Sequence, residues 1–309
     1  MTNHTLYRGR FAPSPTGPLH FGSLIAATGS YLEAKANQGQ WLLRIDDIDP
    51  PREQQGATAA ILRTLEAFGF EWDEEVLFQS KRFKRYQAAV DDLIQKQLAY
   101  PCSCSRSSIM EQTGQDKGNI VYPGFCRNGV INPSNETSIR LRCDNQTISF
   151  NDAIQGPQSF TLAQTHGDFI LQRRDHYFSY HLASGIDDAE QGITQVVRGS
   201  DLLACTPCQI YIQHLFNLPS PGYSHLPIVV NATGHKLSKQ TYAEPINASE
   251  ASYLLHNALK FLGQMPSISL KTASITEIWS WAESNWNQDL VPRKLQQFTS
   301  GTYDSADSD

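Results

Sequence analysis

A chain of 309 residues with 40% hydrophobic content can bury a substantial core, as one large or two modest domains. Its formal charge of −6 excludes a uniformly basic, nonspecific nucleic-acid binder, so any RNA must meet a local basic face. No run approaches the roughly 18 apolar residues of a membrane helix, and Met1 to Thr5 lacks the segments of a signal peptide, so a cytoplasmic protein without membrane contact is expected.

Tyr7 to Ala12 reads as a short strand running into Pro13-Ser14-Pro15-Thr16-Gly17-Pro18, a stretch that is neither regular helix nor central strand. Leu24, Ala27, Tyr31 and Ala34 then recur at helical spacing until Asn37 and Gly39, and Trp41 to Ile45 is a compact apolar strand. Strand, loop, helix and strand in that order predict a βαβ unit with parallel pairing. Helices are predicted at 52–68 and at 82–97, the second with Phe83, Tyr86, Val90, Leu93 and Ile94 on one face.

From Pro101 to about Gln164 the texture changes to Gly, Asn, Ser and Pro, with four of the six cysteines and two alternating runs near 138–141 and 147–150. This reads as an inserted module. The α/β pattern resumes with strands at 169–172 and 194–197 and helices at 179–190 and 202–216. Beyond Asn247 the chain reads as helices, in which Trp279, Trp281 and Trp286 have the spacing of core packing rather than of an RNA-stacking platform. The tail at 301–309, with three aspartates, is expected to be disordered.

Three features carry chemistry. Arg10-Phe11-Ala12-Pro13-Ser14-Pro15-Thr16-Gly17-Pro18-Leu19-His20-Phe21-Gly22-Ser23 brings a histidine and a glycine to a helix N-terminus, where free N–H groups and the helix dipole favour a triphosphate. Lys236-Leu237-Ser238-Lys239-Gln240, after Gly234, sets two lysines three apart, a spacing able to bracket leaving phosphates. Cys102, Cys104 and Cys126, in a chain without a secretion signal, suit a metal or the core better than disulfides. Cys205 and Cys208 form a second CxxC that reads as core or helix-start cysteines.

The Arg10 to Ser23 block resembles the opening motif, with its HIGH signature, of the glutamyl-type class I aminoacyl-tRNA synthetases, and Lys236 to Gln240 resembles their KMSKS loop. Val196-Val197-Arg198-Gly199-Ser200-Asp201 resembles their VRG-D element, and Tyr180 matches their substrate-binding tyrosine. The likeness spans about Arg8 to Ala243. It implies an α/β fold: a Rossmann-like parallel sheet split by an inserted zinc-binding module, with a C-terminal helical subdomain. The corresponding division is a first catalytic half at 1–100, the module for zinc and acceptor at 101–165, a second catalytic half with the lysine loop at 166–245, and helices at 246–300.

By the same resemblance, His20, Lys236 and Lys239 are the catalytic residues, and Thr16, His20, Gly22, Ser23 and Lys239 hold ATP. Arg10, Phe11, Ala12, Pro13, Ser14, Asp46, Tyr180 and Arg198 surround L-glutamate. Two residues depart from the pattern: Ser23 replaces a histidine, and Asp46 replaces the glutamate that holds the substrate ammonium, one methylene shorter. Cys102, Cys104, Tyr122 and Cys126 resemble the zinc site of a truncated branch, the glutamyl-queuosine tRNA(Asp) synthetases, with Cys143 as an alternative fourth ligand.

Only 69 residues follow Gln240, too few for the anticodon-binding region of discriminating members. The implied activity is therefore ATP-dependent, tRNA-independent activation of glutamate and its transfer to the cyclopentene ring of queuosine in tRNA(Asp). ATP is a substrate, Mg2+ accompanies it, one structural Zn2+ is bound, and the chain acts as a monomer. Three other readings are a conventional 3′-end glutamyl-tRNA synthetase core, a noncatalytic RNA-binding module, and a ligase for a small amine or thiol carrier.

Overall fold

The computed structural model describes residues 6–116, 120–230 and 244–298. Both halves of the sheet begin from short apolar strands. β1 (Arg8–Phe11) leads through the proline-rich loop into α1 (Phe21–Ala36), β2 (Gln40–Ile45), α2 (Ala57–Ala67), β3 (Asp73–Phe78) and α3 (Phe83–Gln95). β1, β2 and β3 pair in parallel, in that order, as the βαβ reading requires. Leu24, Ala27, Tyr31 and Ala34 of α1 are all buried, so its apolar stripe is the face laid on the sheet.

The middle of the chain holds β4 (Ala99–Cys102), α4 (Arg106–Thr113), β5 (Ser138–Leu141), β6 (Thr147–Asp152), β7 (Gly156–Thr161), α5 (Leu162–Thr165) and β8 (Ile170–Gln172). β5 lies between β4 and β8 in a small antiparallel sheet. The β6–β7 hairpin instead reaches back to the larger sheet, where β6 pairs in parallel with β10 (Gly222–Leu226). α6 (Tyr180–Glu190), β9 (Gln195–Gly199) and α7 (Thr206–Leu215) precede β10, and β10 pairs in parallel with β9.

β9 runs beside β1, tied by Thr194 N–H to the Arg8 carbonyl at 2.9 Å and by Arg8 N–H to Thr194 Oγ1 at 2.8 Å. From this junction the chain builds outward in both directions, β1 towards β2 and β9 towards β10. Such a reversal opens a crevice at the C-terminal strand ends, where the loops after β1 and β9 diverge.

β11 (Ile228–Val230) pairs in parallel with β12 (Gln296–Phe298). Between them, α8 (Ala251–Phe261) and α9 (Ile275–Asn285) pack on α1, and a reciprocal Ser274–Glu277 capping box starts α9. Trp279 meets Tyr31 and Phe70 with ring centroids 4.8 and 4.9 Å apart and donates Nε1–H to the Phe68 carbonyl at 2.9 Å. Trp286 donates to Glu33 at 2.7 Å. These tryptophans join the last helices to α1 and the β2–β3 edge, the core role expected from their spacing.

Two helix starts differ from expectation. The segment from residue 52 becomes α-helical only at Ala57, because Pro50–Arg52 forms a 3-10 turn and Gly56 takes φ 81°. The segment from 202 winds as 3-10 helix through Cys205 and becomes α-helix at Thr206, with Pro207 in its first turn. Among the described residues no helix is long and apolar enough to cross a membrane. The tail at 301–309 lies outside the described residues.

Replacing Trp279 with alanine removes a buried indole and its hydrogen bond. Urea denaturation should show a loss of about 3–5 kcal/mol; a loss below about 1 kcal/mol contradicts the anchoring role.

Candidate active site

The crevice at the β1–β9 junction is a cavity of about 480 Å³. Arg10, Phe11, Ala12, Pro13 and Ser14 form one side, Thr16, His20, Gly22 and Ser23 the α1 end, and Tyr180 and Arg198 the β9 side, so the cavity gathers residues from three parts of the chain. The turn at Gly17 needs φ 136°, which an L side chain rarely adopts. That turn lets the chain double back so that His20 caps α1: His20 Nδ1 accepts from Ser23 N–H at 3.3 Å. With Nδ1 an acceptor, a neutral ring carries its proton on Nε2, which makes that nitrogen a donor beside the helix N-terminus.

Beneath β1 and β2 lies a cluster of buried charges. Asp188 Oδ1 accepts from Arg10 Nε at 3.0 Å and from Arg44 Nη1 at 2.7 Å, while Oδ2 accepts from Arg10 Nη2 at 3.3 Å. Burial works to raise the Asp188 carboxyl, but Arg10 and Arg44 overcome it and hold the group well below the usual carboxylate range. Arg44 Nε also donates to Asp46 Oδ1 at 2.7 Å.

Asp46 does not line the cavity. It sits behind the wall, its N–H on the Pro13 carbonyl at 3.1 Å and its Oδ2 buried without a hydrogen-bond partner among the described residues. Burial pushes its carboxyl up to about 6, against the pull of Arg44. An orphaned carboxylate oxygen behind an anion-binding wall suits a cation brought by a ligand.

Arg198 is fixed on four sides. Nε donates to His225 Nε2 at 3.1 Å, Nη1 to Tyr180 Oη at 3.0 Å, and Nη2 to Thr206 Oγ1 at 2.7 Å and the Leu202 carbonyl at 3.4 Å. Among the described residues these partners account for four of the five N–H groups of its fork. His225 in turn lies 2.5 Å from Asp152 Oδ2 through Nδ1. Sequence reading missed Arg44, Asp188, Asp152 and His225. Arg44 stands two residues before Asp46 and was within reach of the strand pattern; the others sit on elements that only folding brings under the site.

Cys102, Cys104 and Cys126 place their sulfurs within 4.8 Å of one another. Cys104 and Cys126 Sγ are 3.6 Å apart, and Tyr122 Oη lies 3.2 Å from Cys102 Sγ and 3.5 Å from Cys104 Sγ. Tetrahedral ligands at zinc-like bond lengths are separated by about 3.5–3.8 Å, so this donor set fits a metal ion. Cys143 is not in the cluster; its thiol, pushed up to about 12 chiefly by burial, points at the Leu141 carbonyl at 3.9 Å. Gly167 lets Tyr122 sit there: with φ 62°, a Cβ at 167 meets the Tyr122 carbonyl oxygen at 2.2 Å. Arg140 lies over the Tyr122 ring at 4.1 Å and donates to Cys102 Sγ at 3.3 Å, a cation beside the thiol group.

Cys104 and Tyr122 also line a second cavity, of about 960 Å³, with Arg106, Arg140, Arg173 and Arg174. Tyr180 belongs to both cavities. Lys236 and Lys239, with the rest of the lysine loop, lie outside the described residues.

The catalytic-domain family of class I tRNA synthetases (E and Q) matches residues 7–265. A protein of Aromatoleum aromaticum named Glutamyl-Q tRNA(Asp) synthetase is 48% identical over 297 residues, 96% of this chain and 94% of that protein. One of the same name from Chromobacterium violaceum is 49% identical over 290 residues, 94% of this chain and 97% of the other. The crystal structure of glutamate-tRNA synthetase from Elizabethkingia anophelis superposes with a TM-score of 0.78 at 25% identity, covering 96% of this chain and 68% of that one. The chain belongs to the class I tRNA synthetases of the E and Q type and, within them, to the glutamyl-Q tRNA(Asp) synthetases.

Proposed function

We propose that the protein activates L-glutamate with ATP, without tRNA, and then esterifies a hydroxyl on the cyclopentene ring of queuosine in the anticodon of tRNA(Asp). The observation that carries the reading is the meeting, in one cavity, of two buried arginines, each with an N–H group that no described residue takes up, and the His20-capped end of α1. Arg10 and Arg198 grip the side-chain carboxylate. A side-chain amide replaces one of the two acceptor oxygens with an N–H donor and carries no charge, which disfavours glutamine against two cations.

The α-carboxylate, left towards α1, attacks the α-phosphorus of ATP, and pyrophosphate leaves with the electron pair. His20 Nε2–H and the α1 N-terminus stabilise the charge that moves onto the phosphates, joined by Lys236 and Lys239; Thr16, Gly22 and Ser23 seat the nucleotide, and Mg2+ arrives with it. In the second step the acceptor hydroxyl attacks the glutamyl carbonyl, and AMP and the hydroxyl proton depart. Positioning and charge suffice, so no side-chain nucleophile is required.

The second cavity gives the nucleoside its approach, because it meets the glutamate cavity at Tyr180 and carries arginines suited to RNA phosphates. Zn2+ on Cys102, Cys104, Cys126 and Tyr122 stiffens the wall of that approach and takes no part in the bond changes. Asp46 receives the substrate ammonium, across a water or a small shift of the wall, through its orphaned Oδ2.

Labelled glutamate should pass to tRNA(Asp) containing queuosine and not to tRNA(Glu) or to tRNA(Asp) lacking it. Label on tRNA(Glu) that survives removal of queuosine contradicts the acceptor assignment, and loss of glutamate-dependent pyrophosphate exchange contradicts the activation step.

The ammonium contact predicts a pH dependence with a definite sign. With its carboxyl at about 6, Asp46 is ionised above that pH and gains a proton below it. The glutamate KM in pyrophosphate exchange should therefore rise about tenfold from pH 7 to pH 5. Asp46→Asn should show a high KM with little of this slope; an unchanged wild-type slope in the variant removes Asp46 from the ammonium site.

Metal analysis should find about one zinc per chain, and Cys104→Ala should lose it with a fall in Tm. Transfer to RNA should suffer more than pyrophosphate exchange, since the cluster borders only the second cavity. Equal loss of both steps contradicts a role confined to the acceptor side.

A further inference from the structure

Beyond the cavity wall, Arg198 leads into a chain of buried polar groups. Arg198 is 5% exposed, His225 0% and Asp152 1%, so none of their hydrogen bonds is shared with bulk water. An arginine Nε–H can only donate. His225 Nε2, 3.1 Å from it, must therefore present its lone pair, which leaves the ring proton on Nδ1 for Asp152 Oδ2 at 2.5 Å. One proton arrangement satisfies the set, and it requires a neutral imidazole; burial agrees, pushing His225 down to about 4.

Asp152 is equally constrained. Its Oδ1 accepts from the backbone N–H of Ile154 at 3.1 Å, Gln155 at 2.8 Å and His225 at 3.1 Å, so the carboxylate is fixed by the turn after β6 and by β10. A cation on β9 is thus oriented by a carboxylate from the hairpin through a ring from the strand between them.

We infer that His225, set by Asp152, is a positioning residue that fixes the plane of the Arg198 guanidinium and thereby the grip on the side-chain carboxylate of the amino acid. This rests on the reading of the first cavity as the glutamate site. Hydrogen bonds at both ends of the Arg198 guanidinium oppose its rotation about the Cδ–Nε bond: Thr206, Leu202 and Tyr180 hold the Nη end, and His225 holds Nε–H. The bond to His225 supplies the contact at Nε, and together the four partners leave one N–H, among the described residues, to face the cavity. His225 itself does not line the cavity and touches no substrate.

The imidazole can be divided by substitution. Glutamine at 225 carries a carbonyl oxygen near the reach of Nε2, whereas asparagine keeps only the partner of Asp152 and leaves Arg198 Nε–H buried without an acceptor. Asp152→Asn turns an amide N–H towards Nδ1, moves the ring proton to Nε2 and sets it against Arg198.

In glutamate-dependent pyrophosphate exchange, His225→Asn and Asp152→Asn should each raise the glutamate KM about tenfold or more, with the ATP KM changed less than about twofold. His225→Gln should recover to within about threefold of wild type. An unchanged glutamate KM in His225→Asn, or equal damage from His225→Gln and His225→Asn, overturns the inference while leaving the active site standing. If His225→Asn does not fold, Asp152→Asn decides, and an unchanged glutamate KM there overturns it as well. Absence of glutamate-dependent exchange in the wild type overturns the reading of the cavity and this inference with it.

Discussion

Asp188 accepts from two buried arginines at once, Arg10 from β1 and Arg44 from β2, and the shape of the catalytic crevice depends on that shared carboxylate. A guanidinium removed from water costs several kcal/mol unless it is paired and hydrogen-bonded. α6 carries Asp188 and its neighbour Asp187, and the latter accepts from Arg82, Gln79 and Tyr86 on the opposite side. One helix turn therefore ties β1 and β2 to α3 and to the segment before it. Because the Asp188 pairing uses Nε and Nη2 of Arg10, the guanidinium is held flat beneath the wall, with Nη1 taken up by no described residue. Stability and, on the proposed reading, substrate recognition draw on different nitrogens of one guanidinium, and removing Asp188 leaves two like charges buried side by side.

Arg198 meets the same demand by a different means. Among the described residues it has no carboxylate partner, and its acceptors are an imidazole, two hydroxyls and a carbonyl. Its positive charge is consequently not cancelled within the site, whereas that of Arg10 is largely met by Asp188. An incoming carboxylate gains more from a desolvated, uncompensated cation than from a paired one, and a neutral His225 preserves that difference. The two arginines that line the cavity are thus unequal, one structural and available, the other electrostatically poised.

The first βαβ unit was legible because its signals are local: apolar spacing in α1, Asn37 and Gly39 at its end, and a proline-rich turn before it. α3 and α6 were readable for the same reason. β3 was not, since Asp73, Glu74 and Glu75 interrupt any strand pattern and are tolerated at a sheet edge where two of them face water. β10 was missed because Ser224 and His225 are polar yet fully buried, satisfied by partners distant in sequence. The cavity-lining residues were legible through contiguous motifs. Asp188, His225 and Asp152 were not, because a buried carboxylate or imidazole takes its meaning from a partner supplied by another strand or helix. Asp46 stood at the margin: its substitution was visible in sequence, and the shorter side chain lies behind the wall rather than on it.

An acidic chain that handles RNA must concentrate its positive charge. The second cavity does so with Arg106, Arg140, Arg173 and Arg174 against Glu136 and Asp175, in a molecule whose formal charge is −6. Screening over about 8 Å at physiological ionic strength lets such a local excess act while the distant acidic surface contributes little. Arg140 is bound to Cys102 Sγ and stacked on Tyr122, so part of this excess is held by the cysteine cluster itself. The cysteine cluster and the basic wall are therefore one construction: Arg140, bonded to Cys102 and laid on Tyr122, is held beside the cavity that reaches Tyr180. On the proposed reading, with glutamate activated in the first cavity beyond Tyr180, the acceptor meets a fixed field, and transfer needs the nucleoside to be placed rather than chemically activated.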